Sequence, residues 1–220
     1  SNIDAAISTG TIFGIFDGVN DDCLAEGGGS FAVTTSEAEC LSATLRPGSA
    51  LVCAGYCMYS SSTVLVLTLG NGVNGFTLDP QIGEFVLTHP GMRIPPRGKI
   101  YSFNEGNAKE WDAHVRGYLD SLQGVKGSRY VGSMVADVHR TLLYGGIYGY
   151  PADTKNKNGK LRLLYEAAPM SFLVEQAGGR CSDGRRPIMD VVPSSVHQRV
   201  PVFLGSAEDV RDLEMFYSDK

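Results

Sequence analysis

The sequence predicts an α/β chain of 220 residues, an antiparallel meander followed by a three-layer α/β domain. Three observations carry this. As far as Thr88, apolar runs of strand length are cut by turn residues. Pro90, Pro95 and Pro96 then cluster where the pattern changes. Beyond them, strand-length runs alternate with apolar residues at helical spacing, as in helices laid on a sheet. The boundary divides the chain into 1–97 and 98–220.

Taken in order, the first strands are Thr11 to Phe16, Leu51 to Tyr56, Thr63 to Leu69, Gly75 to Leu78 and Glu84 to Thr88. Gly70-Asn71-Gly72 and Asp79-Pro80 provide turn chemistry between neighbours. The polar stretch from about 17 to 46 interrupts the meander with Asp21-Asp22 and Gly27-Gly28-Gly29; a loop of that length is usually functional or mobile. After the prolines comes a strand-like run from Lys99 to Phe103. Trp111, Val115, Leu119 and Leu122 then recur at helical spacing, as do Met134, Val138 and Leu142. The latter helix should end at Gly145-Gly146, where glycine tolerates the left-handed cap. Pro169 to Ala177 reads as another helix. The last opens on Ser206-Ala207-Glu208-Asp209, a capping-box pattern, and buries Val210, Leu213 and Phe216. Further strands are expected at Ile147 to Tyr150, Leu161 to Leu164 and Val200 to Leu204.

Composition narrows the function classes. A formal net charge of -5 argues against nonspecific nucleic-acid binding, which needs a broad basic surface. No apolar run approaches the ~18 residues of a membrane span, and no signal peptide opens the chain. The start at Ser1-Asn2-Ile3-Asp4, without an initiator Met, reads as a truncation. Of the cysteines, Cys53 and Cys57 lie in an apolar run and are expected to be buried and inert. Cys23 and Cys40 lie in polar, Gly-rich sequence. The four histidines show no i, i+4 pairing and are expected to be structural. No nucleophile elbow or P-loop occurs.

Three clusters have the composition of a phosphate pocket. They are Asn104-Glu105-Gly106-Asn107, Ser128-Arg129-Tyr130, and Lys160-Leu161-Arg162 followed by Tyr165-Glu166. Guanidinium and ammonium groups satisfy phosphate oxygens by charge-assisted hydrogen bonds, and phenols and amides add neutral donors. Each cluster alone is explained equally well by surface charge pairs, and Tyr150 alone by packing.

Together, the strings SNID, TGTIFGIF, AGYCMYSSST, GKIYSFNEG, SRYVGSMVADVHRTLLYGGIYGYP, NGKLRLLYE and HQRVPVFLGS resemble the fructose-1,6-bisphosphatase family, in its redox-regulated chloroplast form. The resemblance implies a sugar-phosphatase fold: part of an N-terminal antiparallel sheet over 1–97, then a sugar-phosphate-binding α/β/α domain with a mixed sheet over 98–220. It implies hydrolysis of the 1-phosphate of fructose 1,6-bisphosphate in the Calvin cycle, with Mg²⁺ (or Mn²⁺) as cofactor. Asn104, Tyr130 and Tyr150 would bind the 6-phosphate, and Arg129 would reach a neighbouring subunit's pocket. Lys160 would contact the sugar and its phosphate, and Met134 would line the pocket. Asn107 stands where many members have Tyr, though its amide can still donate. Glu166 would be a metal ligand, a hard carboxylate for a hard dication. The family's acidic metal motif lies upstream of SNID, so this stretch alone is expected to be inactive. The resemblance further implies a Cys23–Cys40 disulfide reduced by thioredoxin, a homotetramer, and a place in the chloroplast stroma. Asp17 falls where AMP-inhibited relatives carry a basic residue, which disfavours AMP inhibition. Two alternatives stand: a sedoheptulose-1,7-bisphosphatase, and a non-catalytic sugar-phosphate-binding or assembly module.

Overall fold

The computed structural model describes residues 2–17 and 44–218. Its first sheet is the predicted meander. Strands β1 (Thr9–Phe16), β2 (Leu51–Tyr59), β3 (Thr63–Thr68), β4 (Val73–Asp79) and β5 (Glu84–Met92) lie in chain order, each antiparallel to the next.

A second sheet is mixed. Its order is β10 (Arg180–Ser182), β12 (Val202–Gly205), β8 (Ile147–Tyr150), β6 (Ile100–Ser102) and β7 (Gly127–Ser128). Strands β6, β7 and β8 are parallel, whereas β12 runs antiparallel to both β8 and β10. A two-stranded ladder joins β9 (Leu161–Arg162) to β11 (Arg199–Val200). The helices are α1 (Ala113–Leu122), α2 (Met134–Tyr144), α3 (Ala168–Gln176) and α4 (Ala207–Ser218).

Period-two alternation assigns the faces of the mixed sheet. Ile147 and Phe203 point to one side, where Tyr101 and Phe103 join Val115, Leu119, Val210 and Leu213 of α1 and α4. Tyr148, Val202 and Leu204 point to the other, against Val138 and Leu142 of α2 and Leu173 and Val174 of α3. Those four helical side chains are at most 1% exposed, so each contributes about 2 kcal/mol through burial. The same cluster continues into Tyr56, Val64, Val66 and Val73 of the first sheet. The layers therefore run sheet, α2 with α3, mixed sheet, α1 with α4. The expected three-layer domain is present, with the meander stacked upon it.

Local chemistry explains the departures from the sequence reading. The run from Val200 to Leu204 is two strands in different sheets, divided at Pro201, which has no N–H to continue a ladder. Only the first two residues of Leu161 to Leu164 are strand. The backbone then makes a π-type turn, Leu163–Ala167, that runs into α3. Ser206 and Asp209 bind other segments as well as opening their helix. Ser206 Oγ donates to the Pro95 carbonyl (2.6 Å) and accepts from Gly146 N (2.9 Å), and Asp209 accepts from Gly98 N (2.9 Å).

Cys53 and Cys181 are buried, which pushes both thiols up and makes them poor nucleophiles; Cys57 is half-buried. Cys23 and Cys40 lie outside the described residues. The Tyr56 hydroxyl lies 2.6 Å from His139 Nδ1, and burial pushes that imidazole down to about 4, so it is neutral at physiological pH.

Candidate functional site

The parallel trio positions the site. Tyr101 is level with Ser128 of β7 on one side and Ile147 of β8 on the other. All three strands therefore end at one edge of the mixed sheet, the edge outside which open α/β sheets bind ligands. Asn104 follows β6 at that edge, Arg129 and Tyr130 follow β7, and Tyr150 closes β8. Close approach keeps the ends in step: a Cβ on Gly149 would lie 2.1 Å from the Phe103 ring.

Tyr130, Met134 and Tyr150 each pack, partly buried, against the core cluster on the α2 and α3 face. The Lys160 ammonium lies 5.6 Å from the centroid of the Tyr150 ring, a cation–π separation. Lys160 is exposed and stands just before β9. Asp153 ties the preceding loop by accepting from Lys155 N (2.9 Å) and from Asn156 Nδ2 (3.0 Å). The Tyr130 phenol is pushed up to about 12, first by burial and then by Tyr150 and Asp137, so it holds its proton throughout the physiological range. Tyr148 is fully buried beneath the pair. Burial raises its phenol first, with further contributions from Tyr130, Asp137, Tyr150 and Glu166.

Glu166 sits in the π-type turn, an irregularity that recurs at functional sites. Its Oε2 accepts from Arg162 N at 2.7 Å, and Oε1 lies 3.6 Å from Arg162 Nη1. Asn104 precedes the short helical turn Glu105–Glu110, and its carbonyl accepts from Asn107 N at 2.9 Å. Asn104 and Asn107 thus belong to one turn at the strand edge. Arg129 is the exception. Its Nη1 donates to the Ser128 carbonyl at 2.8 Å and the side chain is exposed, so within this protomer it does not join the tyrosine pair.

Sequence reasoning passed over the groups that hold this edge. Asp137, Ser102 and the partly exposed Arg140 form a network under residues 129–132, with Asp137 and Ser102 buried. The available signal was a carboxylate beside the apolar stripe of Met134, Val138 and Leu142. A charge there must be paired or strongly hydrogen-bonded.

Donor chemistry tests the fit of a hard dication. Glu166 provides carboxylate oxygens of the right kind. Among the described residues, no group of three or more His, Cys, Asp or Glu could hold a metal ion. Glu166 is thus a single carboxylate of suitable chemistry, not a complete metal shell.

Fold and donors together define an α/β protein whose strand edge presents groups suited to an anion. Sequence comparison carries the assignment to a family. Residues 94–218 match the fructose-1-6-bisphosphatase C-terminal domain, and residues 1–90 match the N-terminal domain of the same family. The chain belongs to the fructose-1,6-bisphosphatase family. It is 57% identical to the chloroplastic fructose-1,6-bisphosphatase of Brassica napus, over 98% of this chain and 54% of that protein. It is 52% identical to the cytosolic enzyme of Oryza sativa subsp. indica, over 99% of this chain and 62% of that one. The holo crystal structure of Leishmania major fructose-1,6-bisphosphatase superposes with a TM-score of 0.89 at 45% identity, covering 99% of this chain and 65% of that one. The chain spans about half the length of the chloroplastic relatives it matches.

Proposed function

We propose that the protein carrying this chain hydrolyses the 1-phosphate of fructose 1,6-bisphosphate, releasing fructose 6-phosphate and inorganic phosphate. One observation carries the reading: Tyr130 and Tyr150 stand at the edge where β6, β7 and β8 end, Lys160 lies over the Tyr150 ring, and Glu166 is hydrogen-bonded to β9, the strand that Lys160 leads into.

In this reading Tyr130 and Tyr150 donate to the 6-phosphate, with Asn104 and Asn107 adding amide donors. Lys160 binds both sugar and phosphate through its ammonium, and Met134 closes the apolar wall. Arg129, turned away from its own tyrosine pair, serves the pocket of a neighbouring subunit in a homotetramer. These contacts fix the sugar so that C1 and its phosphate lie toward Glu166. Water attacks phosphorus, the bond from phosphorus to the C1 oxygen breaks, and that oxygen takes a proton. Glu166 would hold Mg²⁺ (or Mn²⁺), which when bound would supply charge neutralisation for the phosphoryl oxygens, the water and the leaving alkoxide.

The test is the rate of fructose 1,6-bisphosphate hydrolysis by the intact protein with and without Mg²⁺, beside that of sedoheptulose 1,7-bisphosphate. The expected result is metal-dependent turnover, with kcat/KM at least about tenfold higher for the fructose substrate. A higher value for sedoheptulose bisphosphate would transfer the assignment to that sugar. Binding without turnover of either would leave a sugar-phosphate-binding module.

The proposal extends to a stromal, Calvin-cycle setting with a thiol switch; chloroplastic relatives at 57% and 58% identity favour the plastid, beside a cytosolic relative at 52%. The proposed switch is a Cys23–Cys40 disulfide opened by thioredoxin, with the reduced form active. Cys40→Ser in the intact protein is expected to be active without dithiol. Activity as dependent on dithiol as the wild type's would refute the pairing.

A further inference from the structure

We propose that Asp137 is the positioning residue of the phosphate-binding loop, holding residues 129–132 so that Tyr130 faces the 6-phosphate; this rests on the sugar-bisphosphatase reading above. Asp137 has no exposed surface, so its carboxylate must be fully partnered within the protein. Its partners come from three directions. Oδ1 accepts from Ser102 Oγ on β6 at 2.9 Å and from Arg140 Nη2 on α2 at 2.7 Å. Val131 N approaches both oxygens, at 3.0 and 3.2 Å, and Gly132 N donates to Oδ2 at 3.0 Å.

The last two donors are the backbone immediately after Tyr130. Arg140 Nη2 also donates to the Arg129 carbonyl at 2.8 Å, so the same pair grips the loop before Tyr130. Tyr130 is thereby clamped from both sides by one ion pair, its carboxylate buried and its guanidinium partly exposed. The clamp's third attachment, Ser102, lies on the strand that leads into Asn104. One carboxylate thus sets the spacing between two segments that donate to the same phosphate. Asp137 belongs to the first turn of α2, yet its bonds go back to the loop rather than only to helix ends. A side chain serving only the helix would not bind β6 and two loop amides as well.

The role predicts a specific kinetic pattern. A loosened loop weakens every state that carries the 6-phosphate, so substrate and product lose affinity together while the chemistry at C1 continues. In Asp137→Asn of the intact protein, KM for fructose 1,6-bisphosphate and Kd for fructose 6-phosphate should each rise about tenfold, because small misplacements of binding groups are costly. The kcat should stay within about threefold, and the Mg²⁺ concentration for half-maximal rate should not move. A purely structural role would instead lower melting temperature and the yield of active protein without that split. Unchanged KM and product Kd in a folded Asp137→Asn protein would overturn the proposal. Where that variant does not fold, Ser102→Ala decides: a rise of about threefold in both constants supports the clamp, and no rise overturns it. Wild-type protein that neither hydrolyses fructose 1,6-bisphosphate nor binds fructose 6-phosphate would bring down the functional reading itself, an outcome distinct from failure of the clamp.

Discussion

Glu166→Gln in the intact protein is expected to lower kcat for fructose 1,6-bisphosphate by at least about 100-fold, while fructose 6-phosphate binds within about twofold of wild type. The size follows from ligand chemistry: changes merely adjacent to metal ligands cost about 10- to 100-fold, and replacing a carboxylate ligand by a neutral amide goes further. The fold should survive. The one close hydrogen bond to Glu166, from Arg162 N at 2.7 Å, needs only an acceptor oxygen, which Gln retains. The i, i+4 pair with Arg162 is 3.6 Å long and partly exposed, so its loss is a minor effect. Steady-state kinetics across a Mg²⁺ series, with calorimetry for the product, check both halves. An unchanged kcat and metal dependence would remove Glu166 from the metal site.

The second large effect concerns stability. Gly146→Ala should destabilise the protein by about 4 kcal/mol, the sum of left-handed strain and overpacking at one position. Gly146 has φ +101°, and an added Cβ would lie 2.1 Å from the Ile100 carbonyl oxygen. Neither side can yield. Gly146 N donates to Ser206 Oγ at 2.9 Å, and its carbonyl accepts from Ser206 N at 2.8 Å. Because Gly146 immediately precedes β8, any displacement passes to Tyr150. The melting temperature should fall by about 10 °C for a chain of this size. Gly72→Ala is the matched control: its φ is +80°, but nothing lies within 4 Å of the added Cβ. It should cost only about 1 kcal/mol of backbone strain. Equal melting temperatures for the two variants would contradict the packing account.

The meander was legible because each strand pairs with its chain neighbour, so periodicity and turn residues alone dictate the order. The first two helices were legible from their apolar spacing and the last from its capping-box pattern. Three features were not. Strand β10 is three residues long and begins with an arginine, too short for alternation to register. The π-type turn that carries Glu166, Leu163–Ala167, begins inside Leu161-Arg162-Leu163-Leu164, a stretch that reads equally well as strand. Asp137 looked like one more charge on a helix, because its partners Ser102 and Val131 come from separate segments. The site divides similarly. Residue types in the three clusters indicated phosphate chemistry, but Tyr150 alone was indistinguishable from a packing residue. Its meeting with Tyr130 depends on the parallel register of β6, β7 and β8, and that with Lys160 on the loop before β9, long-range relations that no local pattern encodes.

That meeting is tested most directly by a crystal structure of the intact protein with fructose 6-phosphate bound. The predicted result is a phosphate group hydrogen-bonded by the phenols of Tyr130 and Tyr150, with the Lys160 ammonium within contact distance of the same ligand. A phosphate bound elsewhere, with these three side chains untouched, would contradict the account.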